Sequence, residues 1–425
     1  MKGKVMTTLL TCMLFGGGCK SAEEPASSVQ EPASSVQEPA SSAQSSRLPA
    51  SSKNKAYDIH EGFIEAERSF GFDLFRNMSD HGRLMDNLLI SPYSLQQVLM
   101  MTANGAAGDT AKEMKAALYL SDIQDSVINE SSFALLKRFE SLPKGDLLTA
   151  NAVWSRLEAK PDFKQTIKQF FSGSVFKMAD NIHTAKNSIN QWTAHQTKGH
   201  IDDIADRLSP EAVSLLINAV YFQEKWSLPF DRHVTAEELF FLPDGSSKKL
   251  LMMKQTARLA YLENELFQAV KLPYEDQHLS FTLFLPKKKP ASFMSLFSNQ
   301  RVKEWYNSFQ PKAVKLSMPR FTLNGRYQVK QALREMGMES VFSAADFSSM
   351  FTEGRGVTID DVNHHTFIKV DESGTEAAAA SSVEVIERGL APDVTLRADR
   401  PFFFAITDEQ TTSLLFLGFV ANPNE

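Results

Sequence analysis

Five stretches of the chain are rich in β-branched, aromatic and aliphatic residues: 213–222, 279–285, 314–323, 402–406 and 414–420. Several are apolar at both parities. Successive side chains of a strand point to opposite faces, so such a run needs cover on both and belongs inside a sheet. Helical patterning comes earlier. Phe63 is followed by Phe70, Leu74 and Met78 at helical spacing. In S-P-Y-S-L-Q-Q-V-L-M-M-T-A-N-G, Ser91 fits an N-cap, Pro92 the first helical position and Asn104-Gly105 the stop. Thr110 with Glu113 reads as a capping box. Helices early and strands late imply an α+β fold. No break in character interrupts residues 59–425, so one large domain is expected there.

What precedes it is different. Lys2 and Lys4 flank a short apolar run that ends at G-G-G-C, with Cys19 last. The run is too short to span a bilayer and reads as an export signal over 1–18. It resembles a bacterial lipoprotein signal, in which the cysteine becomes the acylated first residue; Gly16 departs from the usual aliphatic residue. The alternative is a plain cleaved signal. E-P-A-S-S-V-Q then occurs at Glu24 and Glu31, and E-P-A-S-S-A-Q at Glu38. A proline in every seven residues and at most one valine exclude a coiled coil. Residues 19–58 are therefore expected to be a disordered, lipidated tether, and the protein an exported, membrane-anchored or secreted one. Cys12 and Cys19 are the two cysteines, so the domain can hold no internal disulfide. The formal charge is −6 and falls to −8 without Lys2 and Lys4, which argues against nucleic acid as a partner.

Catalytic signatures are missing. The chain has no G-x-S-x-G, no P-loop and no H-E-x-x-H. His195 and His200 are five apart and share no helical face. His364 and His365 are adjacent, so in a strand they face opposite ways, one of them buried and hydrogen-bonded. No enzyme, metal or cofactor is expected. The basic run at Lys287 reads as a solvated loop.

One segment resists ordinary reading. E-S-G-T-E-A-A-A-A-S-S-V-E-V-I-E-R-G, from Glu372 to Gly389, has a helix-forming middle between two strand-like flanks. Tested as a strand, one parity holds Thr375, Ala377, Ala379, Ser381, Val383 and Val385, all small or apolar. Both following carboxylates, Glu376 and Glu384, fall on the other parity. An exposed loop able to become a buried strand fits this alternation. A surface helix or a loop with no second state fits it equally well.

G-T-E-A-A-A-A-S-S, covering Gly374, Thr375, Glu376, Ala377, Ala378, Ala379, Ala380 and Ser381, closely resembles the hinge of inhibitory serpins. L-L-I-N-A-V-Y-F-Q-E-K-W from Leu215, S-P-Y-S at Ser91, K-L-S-M-P-R-F, R-P-F-F-F-A-I and L-F-L-G-F-V-A-N-P resemble other serpin segments, in the family's order. The resemblance implies a large mixed central sheet, smaller sheets, N-terminal helices and an exposed reactive-centre loop. It implies a suicide inhibitor that traps a protease's acyl-enzyme by inserting that loop into the main sheet. Counting fourteen residues on from Gly374 places the reactive bond at Arg388–Gly389, so trypsin-like, arginine-specific serine proteases are the expected targets. Arginine-specific cysteine proteases are a second target class. Val385 and Ile386 keep an elastase-like cleavage site open. Ser91, Ser94, Asn218 and His364 match the family's hydrogen-bonded "shutter". A heparin-binding helix is not expected, and a monomer is. The alternative function is a non-inhibitory serpin, a carrier or a mere protease substrate.

Overall fold

The computed structural model describes residues 58–79, 84–142, 146–375 and 391–423. Its helices are α1 (Glu61–Met78), α2 (Pro92–Ala103), α3 (Gly108–Ala117), α4 (Asp125–Glu140), α5 (Pro161–Phe170), α6 (Ile182–Gln196), α7 (Pro290–Met294), α8 (Asn299–Ser308) and α9 (Lys330–Glu335). The early strands are β1 (Leu88–Ile90), β2 (Asp146–Ser155), β3 (Ser174–Lys177), β4 (Ser214–Lys225), β5 (Ala236–Phe241), β6 (Ser247–Glu263), β7 (Phe267–Pro273) and β8 (Leu279–Pro286). Later come β9 (Gln310–Pro319), β10 (Phe321–Gln328), β11 (Ala345–Asp346), β12 (Arg355–Val357), β13 (Asp361–Asp371), β14 (Gly374–Thr375), β15 (Val394–Arg397), β16 (Phe402–Asp408) and β17 (Leu414–Val420).

Two sheets dominate. One is nine-stranded, in the order β1-β17-β16-β8-β7-β6-β9-β15 with β5 paired to β6. The other is six-stranded, β10-β13-β14-β4-β2-β3. The runs apolar at both parities are strands covered on both faces: β8, β16 and β17 are buried at every position. The six-stranded sheet separates two cores. Leu216, Val220, Phe222, Val362 and Ile368 face the main core with α2. Leu215, Ile217 and Ala219 face a smaller core under α6, built largely of alanine and isoleucine with Trp154.

Two sequence expectations are corrected here. The 314–323 run is two strands in two sheets, because Pro319 lacks an N–H and the chain turns at Arg320 between β9 and β10. Thr110 and Glu113 do not cap α3, which begins at Gly108 after Ala107 with no side-chain cap. They reach across the fold instead: Thr110 Oγ1 accepts from Asp346 N–H at 3.0 Å and Glu113 accepts from Ser340 N–H at 2.8 Å.

A seam between two strands as the candidate functional site

β13 and β4 run parallel and pair directly from Asp361↔Leu215 to Phe367↔Tyr221. Higher up they part. β13 ends at Asp371, the chain turns through Glu372 and Ser373, and β14 comes back between the two strands. Thr375 pairs with Val370 on one side and Glu224 on the other; Gly374 pairs with Asp371 and Lys225. A Cβ on Gly374 would sit 2.3 Å from the Glu224 carbonyl oxygen, so only glycine fits this approach. Thr375 is fully buried, and its hydroxyl lies 2.8 Å from Tyr274 Oη.

Aromatic packing frames this entrance. Trp226 stacks on Tyr274 with ring centroids 4.8 Å apart, and Phe281 meets it edge-on. Trp226 Nε1 donates to the Asp371 carbonyl at 2.9 Å, and its backbone N–H to the Ser373 carbonyl at 3.1 Å. The turn is anchored by Glu372, whose Oε1 accepts from Arg320 Nε at 2.7 Å and from Thr235 Oγ1 at 2.7 Å. Burial works to raise this carboxyl, but the bonds from Arg320 and Thr235 outweigh it and hold it below its usual range.

Lower down, the closed part of the seam rests on polar side chains. Ser91 caps α2 by accepting from Ser94 N–H, and Pro92 follows at the first helical position. The Ser91 N–H donates to His364 Nε2 at 3.1 Å. Nε2 therefore has no proton, and Nδ1–H donates to Asn218 Oδ1. The Asn218 amide shares its two hydrogens among the Ser94 carbonyl (2.9 Å), Ser94 Oγ (2.6 Å) and Asn151 Oδ1 (2.6 Å). Burial pushes His364 down to about 3, so the ring is neutral at ordinary pH. All four residues predicted for this network are brought together. Asn151 was missed; its signal is a lone amide in the apolar run A-N-A-V-W of β2.

His365 faces the opposite way and bonds Asn324 Oδ1 at 2.7 Å, so both histidines are buried and hydrogen-bonded. Among the described residues no group of His, Cys, Asp and Glu is placed to hold a metal, and no helix is long and apolar enough to cross a membrane. Cys19, Glu376 through Ser381, Arg388 and Gly389 lie outside the described residues.

The serpin (serine protease inhibitor) family model matches residues 65–423. An uncharacterized serpin-like protein of Thermococcus kodakarensis is 33% identical over 373 residues, 85% of this chain and 86% of its own. The solved native-state structure of tengpin, a thermophilic serpin, is similar at TM-score 0.80 and 32% identity, covering 88% of this chain and 97% of that one. Thyroxine-binding globulin in complex with thyroxine is similar at TM-score 0.78 and 27% identity, covering 85% and 99%. The chain belongs to the serpin family and has the serpin fold. Members of this family are commonly protease inhibitors rather than catalysts, and thyroxine-binding globulin shows that the fold also serves as a binding protein.

Proposed function

We propose that this protein is a suicide-type inhibitor of trypsin-like, arginine-specific serine proteases, exported and anchored at the cell surface or in the periplasm through Cys19. The observation that carries the reading is the seating of Gly374 and Thr375 between β13 and β4, above a seam that is still closed. A protease attacks the loop at Arg388–Gly389 and forms an acyl-enzyme. The small-residue parity that starts at Thr375 then extends down the seam as a new strand, and the protease is carried away before water completes hydrolysis. Serpin loop insertion is itself a standard instance of strand addition and of stored strain.

The energetics support it. About fifteen residues at roughly 3.3 Å each span about 50 Å, enough to cross a sheet. New ladder bonds at about 1 kcal/mol net each sum to the order of ten. The active form is then kinetically trapped. Arg388 suits a pocket with a buried carboxylate, and cysteine proteases of the same preference are a second target class.

Mixing with trypsin and running a denaturing gel tests this. A detergent-resistant adduct is expected, with a released fragment that begins at Gly389; Arg388→Ala should remove the adduct. Cleaved chain without adduct would overturn the inhibitory reading, and a fragment with another start would move the reactive bond. In cells, Cys19→Ser should release the protein from membranes; unchanged fractionation would refute the anchor. The second reading, a small-molecule carrier, is favoured by the likeness to thyroxine-binding globulin. It predicts cleavage without adduct in the same gel.

A further inference from the structure

The segment after α6, residues 197–208, lies across the face of the six-stranded sheet opposite the polar network, and it grips both sides of the seam. His200 stacks on Tyr221 of β4, with centroids 3.7 Å apart and planes at 11°. On the β13 side, Asn363 Nδ2 donates to the Ile204 carbonyl at 2.8 Å. The segment's own shape is set by Asn190 of α6, whose Oδ1 accepts from Ile204 N–H and Ala205 N–H at 3.0 Å each.

A small cleft opens beside this grip, lined by Asp203, Asp206, Arg207, Arg326, Asn363 and His365 among others. Two side-chain atoms on its β13 wall are buried without a partner among the described residues: Asn363 Oδ1 and His365 Nδ1. Asn363 and His365 are 5% and 3% exposed. Positions 363 and 365 share a strand face, so both turn the same way. Their chemistry is fixed by their other bonds. Asn363 spends its amide N–H on Ile204, which leaves an oxygen acceptor. His365 Nε2–H donates to Asn324 Oδ1, which leaves Nδ1 as a bare acceptor. Two unpaired acceptors call for a ligand that brings at least two donor hydrogens. Among the side chains that line the cleft, Asp203 and Asp206 balance Arg207 and Arg326, and Arg326 is already drawn to Asp203 at 3.6 Å. The cavity, about 40 Å³, suits a group of a few heavy atoms and not a large ligand.

We propose that this cleft is a binding site for a primary ammonium group, as carried by small alkylamines and polyamines. Its three N–H donors match Asn363 Oδ1, His365 Nδ1 and the Asp206 carboxylate. Occupancy ties the 197–208 segment more firmly to β13 while His200 holds it to β4. The strap across the seam is thereby tightened and strand insertion slowed. This second consequence rests on the protease-trapping reading; binding itself does not.

The test uses the full chain with methylammonium chloride or putrescine as probe. Tetramethylammonium chloride, equally charged but without an N–H, is the control. Methylammonium and putrescine should raise the melting temperature of the intact protein, and tetramethylammonium at matched ionic strength should not. Asp206→Asn, on an exposed residue, should weaken the apparent affinity about tenfold through loss of one charge-assisted hydrogen bond. His365→Phe should abolish the effect. Equal shifts from both kinds of cation, or unaltered affinity in Asp206→Asn, would overturn the site. With trypsin, the amine should lower the ratio of adduct to cleaved chain about tenfold, with protease activity alone as control. A melting shift without any adduct in amine-free buffer leaves the site standing and sinks the inhibitor reading. An adduct without a melting shift does the reverse.

Discussion

β13 and β4 meet at two levels, and the two are made of opposite materials. At the top they are held apart by a returning two-residue strand, Gly374 and Thr375, beside the stacked rings of Trp226 and Tyr274 with Phe281 edge-on. In the middle they touch, and Ser91, Ser94, Asn151, Asn218 and His364 bind the strands to α2. Apolar contact is non-directional and can be exchanged a little at a time. A buried polar network cannot, since each group left unpaired costs about 1–3 kcal/mol. On the proposed mechanism, the top of the seam is where a strand would be admitted in steps, and the middle is where further entry would stop unless the newcomer replaced the lost bonds.

The largest expected effect breaks the top. Thr375 has no exposure and its only side-chain bond among those described is to Tyr274. Arginine there would bury an unpaired charge between two strands. Thr375→Arg should still be cleaved by trypsin while the covalent adduct falls below detection on a denaturing gel. Wild-type adduct yield would refute the role given to this entrance.

The next effect sharpens the middle. His364 has an ordinary value near 6.5 and is pushed to about 3 by burial. Unfolded, it binds a proton below 6.5; folded, only near 3. Stability is therefore lost as pH falls through that window. His365, lowered to about 4 chiefly by burial, adds in the same direction. Glu67, raised to about 7 by burial against the opposing hydrogen bonds from Leu414 N–H and Ser413 Oγ, works oppositely: its contribution is lost as pH rises from 4.5 to 7. His364→Gln keeps a donor for Asn218 and an acceptor for Ser91 without the titration. It should spare on the order of 3 kcal/mol of the loss between pH 6.5 and 4, read from urea midpoints. Parallel acid limbs for both proteins would remove His364 from the account.

How legible each level was follows from the same difference in materials. Strands such as β8 and β17 announce themselves, because burial on both faces leaves uniformly apolar runs. The adjacency of His364 and His365 gave their opposite orientations at once. Most of the polar network was found only through likeness to a known family, since a buried serine and a solvated one look alike in a sequence. Asn151 escaped for that reason. The top escaped further. Glu372 meets Arg320 and Thr235 across 52 and 137 residues, and Thr375 meets Tyr274 across 101. Such contacts are set by how the sheets are folded together, and no local pattern encodes them. The same holds for Thr110 and Glu113, where a local motif was overridden by partners more than 220 residues away.

The smallest effect tests whether the grip on the turn or the packing between the strands governs the top. Ser373 sits in the turn that leads into β14, and its Oγ accepts from Arg232 Nη2 at 3.0 Å at the surface. An exposed bond of this kind contributes little, since water replaces it. Ser373→Ala should change stability by less than about 0.5 kcal/mol and leave the yield of protease adduct unchanged. Its neighbour Thr375, two residues on, is expected to decide that yield entirely. If Ser373→Ala cuts the adduct as deeply as Thr375→Arg, then anchoring of the turn controls entry, and the contrast between a yielding top and a locked middle fails at its upper end.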